Sequence, residues 1–256
     1  MLVDAHAHLD LFGERQNEAL RQIEQHRILT LAVSMDVPSY LDTKSLAERS
    51  PWVRPLFGVH PWEAPRYADD LTALDAHLAA TPMIGEAGLD FHFVEDARSH
   101  EQQRLVLRYQ CGWAARSGKR MNLHTKGAEA DVLAELRAHG LRGSIVHWYS
   151  GPAELVSDYL ALGCYFTIGV EVFTSEAVRE LARSLPGDRL LLETDNPGAH
   201  KWLTGSPGMP DLLLDICDAV ADLREVPPEE LSGQLALNWR RLEWMPEARA
   251  EGRSDA

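Results

Sequence analysis

Histidines and carboxylates recur in this sequence where strand-like apolar runs end. His6 and His8 flank Ala7 within the first of these runs. Side chains two residues apart on a strand point to the same face, so the two imidazoles could share one metal ion. An HxH pair is common by chance. The pair therefore indicates a metal site only if further ligands join it.

Four more side chains of metal-binding types follow later apolar runs: Glu86, His124, His147 and Asp195. Taken singly, each would be read as a hydrogen-bonded core histidine or as an acid in a loop. Six such residues at the ends of strand-like runs instead predict one shared metal centre.

Eight short apolar runs predict the strands that must position these residues, and segments of helical periodicity separate them. The strands are expected at residues 2–9, 28–35, 53–59, 83–87, 121–124, 144–148, 164–170 and 190–194. The helices are expected at residues 17–25, 40–48, 69–79, 101–115, 129–139, 153–162, 176–184, 211–223 and 229–242.

This alternation predicts an α/β fold, a (β/α)8 TIM barrel forming a single domain, because eight strand–helix units in about 250 residues are typical of that barrel. Barrel active sites lie at the carboxyl ends of the strands, which would bring the six residues together. The alternative is an open doubly wound sheet, which usually has a glycine-rich first turn. Residues 8–16 (HLDLFGERQ) have no such turn.

The ends of the chain and its composition predict where the protein resides. Residues 1–245 are assigned to the barrel, and the polar residues 246–256 are expected to be a disordered tail. No apolar run reaches the length of about 18 residues that a membrane span needs. No secretory signal peptide is recognised. The three cysteines are scattered, as in proteins of reducing compartments, so a cytoplasmic location is expected.

Seven motifs make the chain similar to the TatD family of metal-dependent hydrolases, within the amidohydrolase-type barrel superfamily. They occur in the family's order and span nearly the whole chain. They are DAHAH at 4–8, GVHP at 58–61, GEAGLD at 85–90, LHT at 123–125, VHWYSG at 146–151, ETDNP at 193–197 and NWRRL at 238–242.

The resemblance implies a centre of two divalent metal ions, with Mg, Mn and Zn as candidates. It implies that one ion is held by His6, His8, Glu86 and Asp195, and the second by Glu86, His124 and His147. The family's usual activity is metal-dependent hydrolysis of DNA, often as an exonuclease. Such ions would clamp a phosphodiester and activate a water, with Asp195 as the general base and Glu86 fixing the metal separation.

Four further side chains are candidates for binding substrate or orienting the ligands. His60 could donate to a phosphate or a water, or could be a structural turn residue. Asp90 could orient a ligand, or could cap a loop or helix. Lys126 stands where the family often has Arg, and could meet a phosphate. Trp202 could stack on a nucleobase or anchor local packing.

The formal net charge of −14 argues against DNA as the substrate, because nucleic-acid-binding proteins are usually basic. Two alternatives therefore stay open: hydrolysis of another ester or amide, such as D-aminoacyl-tRNA, and a partner-binding subunit. Residues 195–210 form a segment rich in Gly and Pro that resembles the TatD-like component of Qat anti-phage defence systems. That resemblance implies antiviral defence alongside protein partners.

Overall fold

The computed structural model describes residues 2–244, in which eight parallel strands form one sheet. The strands follow the order β3-β2-β1-β8-β7-β6-β5-β4. The two outermost strands meet through a parallel bridge between Phe57 and Ile84, and the Gly85 N–H donates to the Phe57 carbonyl at 2.9 Å. The sheet thus curls into a nearly closed barrel, which confirms the predicted TIM-barrel fold. The predicted tail at 246–256 lies outside the described residues.

The strands are short and all of them are preceded or followed by helical segments. Their bounds are β1 Leu2–Ala7, β2 Ile28–Val33, β3 Val53–Leu56, β4 Ile84–Gly88, β5 Met121–His124, β6 Ile145–Val146, β7 Tyr165–Ile168 and β8 Leu190–Leu192. The α-helices are α1 Gln16–His26, α2 Val37–Ala47, α3 Asp75–Ala80, α4 Ala97–Ser117, α5 Glu129–Ala138, α6 Val156–Ala161, α7 Glu176–Ser184, α8 Gly198–Thr204, α9 Leu212–Leu223 and α10 Pro228–Trp244.

Most elements differ from the sequence prediction by a few residues at their ends, and four segments differ more. The helix predicted at 153–162 is divided into a 3₁₀ turn, Ala153–Leu155, and α6. β1 ends at Ala7, because the chain turns into a 3₁₀ helix at Leu9–Arg15. The helix predicted at 69–79 is divided into a 3₁₀ turn, Leu71–Leu74, and α3. No helix is predicted within the Gly- and Pro-rich residues 195–210, but this segment contains α8, which ends where Gly205 adopts φ 83°, a left-handed cap that glycine favours.

The strands carry apolar side chains on both faces, as expected when helices cover the outside of a parallel barrel. Val3, Leu31 and Leu191, from three neighbouring strands, pack in one cluster with Trp239 of α10. A second and larger cluster joins other strand residues to the surrounding helices. Among the described residues, no helix has both the length and the apolar character needed to cross a bilayer.

Candidate metal centre

The carboxylate of Glu86, on β4, lies at the centre of the six predicted ligands and is 1% exposed. Its Oε2 faces His6 Nε2 and His8 Nε2, each at 3.3 Å. Its Oε1 faces His124 Nδ1 and His147 Nε2, each at 2.8 Å. One carboxylate therefore stands between two groups of imidazoles. The two side chains of the HxH pair face the same oxygen, as strand alternation predicts.

Asp195 completes the first group of donors. Its Oδ1 lies 3.3 Å from His8 Nε2 and 3.8 Å from His6 Nε2. The Asp195 N–H donates to the His6 carbonyl at 2.9 Å, and its φ of 47° is in the left-handed region, which Asp tolerates better than most residues. Asp4 links β1 to the segment that follows β8, because its Oδ2 accepts a hydrogen bond from the Thr194 hydroxyl at 2.6 Å.

The ring of His6 is oriented by Asn122, a residue of β5. The Asn122 amide N–H donates to the Ala5 carbonyl at 2.8 Å, which leaves its Oδ1 to accept from His6 Nδ1 at 2.9 Å. The proton of a neutral His6 is thus on Nδ1, and the lone pair on Nε2 points at Glu86 Oε2. Both atoms are buried without a hydrogen-bond partner. Two facing lone pairs repel each other, whereas a cation between them would satisfy both.

The second group of donors is built in the same way. His124 Nε2 lies 3.0 Å from Asp90 Oδ2, and His147 Nδ1 lies 3.5 Å from Glu193 Oε2. Each carboxylate favours the proton on the outer nitrogen, which leaves the inner nitrogen free to bind a metal. The inner nitrogens of the two rings are 3.2 Å apart, beside Glu86 Oε1. This arrangement of acceptors also fits a divalent cation.

Asn122 and Glu193 were not recognised as orienting residues in the sequence. A pattern for both exists, because each lies two residues before a predicted ligand, His124 or Asp195. Both are polar and buried at the end of an apolar run. Asn122 on β5 contacts the ring of His6 on β1, and Glu193 after β8 contacts the ring of His147 after β6. Neither pair of strands is adjacent in the sheet, so these contacts depend on the closure of the barrel and not on a local pattern in the sequence.

The imidazoles control the charge of the central carboxylate. Burial alone would raise the pKa of Glu86, but His60, His6 and His147 hold it well below its ordinary value. Burial likewise opposes ionisation of Asp195, and the hydrogen bond from His8 together with the nearby His6 ring lowers its pKa. Both carboxylates are therefore anionic, as ligands of hard or borderline cations must be.

His60 lies beside the centre as a hydrogen-bond donor. Its Nδ1 accepts the Trp62 backbone N–H at 3.2 Å, so the proton of the neutral ring is on Nε2. That nitrogen faces Glu86 Oε1 at 3.5 Å. Burial lowers the pKa of His60 to about 3, which keeps the ring neutral. His60 therefore caps a turn and directs one N–H toward Glu86, while its contact with a phosphate or a water stays a prediction.

Asp90 also combines the two roles considered for it. Its Oδ2 contacts the outer nitrogen of His124 and accepts the Trp62 indole N–H at 2.7 Å. Its Oδ1 accepts the backbone N–H groups of His92 and Phe93 at 3.0 and 2.8 Å. Asp90 therefore holds the loop after β4 while it orients a candidate ligand.

Lys126 and Trp202 line the cavity above the candidate metal centre, which has a volume of about 910 Å³. The Lys126 ammonium donates to the Trp148 carbonyl at 2.9 Å and to the Ser150 hydroxyl at 2.8 Å. One of its three N–H donors is left for another acceptor. Trp202, on α8, is 61% exposed and meets Trp148 edge-on at 5.7 Å, so most of the ring faces solvent.

Solved structures share this barrel. The crystal structure of YJJV, a TatD homologue from Escherichia coli K12, superposes with a TM-score of 0.81 at 24% identity, covering 96% of this chain and 98% of that one. The structure of a TatD family hydrolase from Entamoeba histolytica also has a TM-score of 0.81, at 16% identity, covering 95% and 98% of the two chains. At these identities the likeness supports the fold alone.

Sequence relatives carry the comparison further. The uncharacterized metal-dependent hydrolase YcfH of Escherichia coli K12 is 31% identical, over 94% of this chain and 95% of that protein. The 3'-5' ssDNA/RNA exonuclease TatD of Pantoea vagans is 31% identical, over 72% of this chain and 75% of that protein. The model of the family described as TatD related DNase matches residues 3–243. The chain therefore belongs to the TatD related DNase family of metal-dependent hydrolases.

Proposed function

We propose that this chain is a two-metal nuclease that hydrolyses phosphodiester bonds in DNA. The observation that carries the proposal is the position of Glu86, whose two carboxylate oxygens each face a separate pair of imidazoles. Two cations held a fixed distance apart suit an in-line displacement at phosphorus. The name of the Pantoea vagans relative, an exonuclease on single-stranded DNA and RNA, supports the same chemistry.

The proposed ligand sets are those expected from the sequence. His6, His8 and Asp195 would hold one divalent ion with Glu86 Oε2, while His124 and His147 would hold the other with Glu86 Oε1. Mg, Mn or Zn ions bound there would supply Lewis-acid polarisation of the phosphodiester and a water of lowered pKa. Asp195, anionic and at the edge of the cavity, would accept the proton of the attacking water as general base.

Two neutral or cationic donors would position the phosphate. His60 directs its Nε2–H toward Glu86 from beside the cavity, where it could donate to a phosphate oxygen or a water. Lys126 offers its third N–H from the loop after β5, where its ammonium also holds the Trp148 carbonyl and the Ser150 hydroxyl. A lysine gives one point contact, whereas an arginine at this position would grip two oxygens. We therefore assign Lys126 to charge compensation and not to bidentate recognition.

Chelation and metal add-back test the proposal. Protein treated with EDTA should lose cleavage of single-stranded DNA, double-stranded DNA and bis(4-nitrophenyl) phosphate, and Mg, Mn or Zn should restore it. The Asp195→Asn variant, prepared in parallel, should stay inactive after metal addition, which excludes a contaminating nuclease. If the protein cleaves none of these substrates with any of the metals, the proposed nuclease function is wrong.

A second candidate function is hydrolysis of another ester, such as a D-aminoacyl-tRNA linkage. Its support is the charge of the cavity, which Glu129 and Glu171 line, in a chain with a net charge of −14. The acidic side chains would attract the free ammonium of the aminoacyl group at the end of such a tRNA. An aminoacyl ester in the same substrate panel separates the two functions: its cleavage without phosphodiester cleavage would assign this one.

Antiviral defence and protein partners stay predictions from residues 195–210. That segment places α8 at the mouth of the cavity, where a partner protein bound to it would also cover the substrate.

A further inference from the structure

Two tryptophans that line the cavity are each held by a hydrogen bond from the indole N–H to a carboxylate. The Trp62 indole N–H donates to Asp90 Oδ2 at 2.7 Å, and the Trp148 indole N–H donates to Glu171 Oε2 at 2.6 Å. The Trp148 backbone N–H is held as well, by the Thr167 hydroxyl at 3.0 Å. A ring tied to a carboxylate loses little further rotational freedom when a flat ligand stacks on it.

Each locked tryptophan has an exposed aromatic neighbour. Phe93 meets Trp62 edge-on at 6.2 Å and 81°, and Trp202 meets Trp148 edge-on at 5.7 Å and 75°. Phe93 is 52% exposed, Trp62 48% and Trp202 61%, so these rings present open surface to a ligand. We name these pairs the Trp62–Phe93 platform and the Trp148–Trp202 platform.

The two platforms lie on different sides of the candidate metal centre. The residues of the first follow β3 and β4, and those of the second follow β6 and β8. In the ring of eight strands these positions are nearly opposite one another. Both platforms face the same cavity as the candidate metal centre. Its lining includes Glu86 and all four aromatic residues, Trp62, Phe93, Trp148 and Trp202.

We propose that the two nucleobases flanking the scissile phosphodiester stack on separate platforms, one base on each. The proposal rests on the nuclease function and adds the form of the substrate. A phosphodiester carries one nucleoside on each side, so a phosphate at the metal centre sends a base toward each wall. Neighbouring bases of a duplex stack on each other about 3.4 Å apart along the strand and cannot reach two walls. The substrate is therefore an unpaired strand with its bases splayed.

The charge of the cavity agrees with stacking as the main source of affinity. Lys126 is the one Lys or Arg side chain among the described residues that line it, whereas Glu129 and Glu171 bring negative charge to the same surface. A duplex bound through its backbone requires many cationic contacts. Base stacking on aromatic rings needs none and accepts every base, because each base has a flat face.

Thymidine dinucleotides with and without their bases test this arrangement. The substrates are dTpdT and two analogues, each with one base replaced by hydrogen, and the proteins are wild type, Phe93→Ala and Trp202→Ala. Each truncation should lower kcat/KM for dTpdT by about 10-fold, within the range for loss of one stacked base. Each truncated protein should also cease to discriminate against one analogue, a different one for each variant. Leu237→Ala, which truncates an exposed apolar residue on α10, is the matched control.

A binding measurement gives a second readout that does not depend on turnover. A dinucleotide with a methylphosphonate in place of the phosphodiester should quench the tryptophan fluorescence of the wild-type protein. Trp202→Ala should weaken that binding by about 10-fold, and Leu237→Ala should leave it unchanged.

Two failures have different meanings. If the wild-type protein cleaves neither dTpdT nor bis(4-nitrophenyl) phosphate with any metal, the nuclease function itself fails. If it cleaves dTpdT but both truncated proteins keep the wild-type discrimination between dTpdT and the two analogues, the stacking arrangement is wrong. A wild-type kcat/KM for a blunt duplex that equals or exceeds the value for a single strand would also contradict the splayed geometry.

Discussion

Replacing Glu86 with Gln should lower kcat/KM for phosphodiester hydrolysis by roughly 10³-fold, the upper end of the effect of removing one electrostatic contact at a reacting centre. The substitution keeps the shape of the side chain but removes the charge that both groups of imidazoles face. An amide offers one oxygen in place of two, so it cannot join two cations. The measurement is steady-state hydrolysis of bis(4-nitrophenyl) phosphate at saturating Mn²⁺.

Glu135→Gln is the matched control for this substitution. Glu135 lies on α5, where it pairs with Arg108 of α4 at 2.7 Å, away from the cavity. Its loss should leave kcat/KM within about twofold of wild type, because such a surface pair contributes little. A Glu86→Gln enzyme with near wild-type activity would show that the central carboxylate is not needed for the reaction.

Binding of divalent metal should raise the melting temperature of the wild-type protein by roughly 5–10 °C. A ligand present at about 100 times its Kd stabilises the folded state by about 2.7 kcal/mol, and about 1 kcal/mol corresponds to 2–4 °C for a domain of this size. The gain has a local cause, because buried lone pairs on His6 and Glu86 face each other without a hydrogen-bond partner. Thermal unfolding with EDTA and with added Mn²⁺ measures the shift.

The metal-dependent shift should shrink in Glu86→Gln and persist in Glu135→Gln. Comparing each variant with itself, with and without metal, separates metal binding from any change in intrinsic stability. An equal shift in all three proteins would place the stabilising ion somewhere other than at Glu86.

Much of the barrel could be predicted from the sequence, because each strand and helix has its own local pattern of apolar residues. The convergence of the six candidate ligands could also be predicted, since in a barrel the carboxyl ends of all strands meet at one rim. The structure of residues 195–210 was harder to predict from the sequence. Its many Gly and Pro residues indicate a loop, yet Gly198–Thr204 is long enough to form two helical turns before Gly205 ends them.

The contacts that orient the ligands could not be predicted from local patterns. Asn122 holds the ring of His6 across 116 residues of sequence, and Glu193 lies beside His147 from another strand. Trp148 belongs to the VHWYSG motif at 146–151, but its place in the Trp148–Trp202 platform depends on α8 and on Glu171. Such pairings arise from strand order and from side-chain direction, which are properties of the folded chain.

Anomalous diffraction from crystals soaked in Mn²⁺ tests the two-metal centre most directly. Two peaks are expected on either side of the Glu86 carboxylate, one beside His6, His8 and Asp195 and the other beside His124 and His147. Peaks at other positions, or no peak near Glu86 at a concentration that supports catalysis, would contradict the proposed centre.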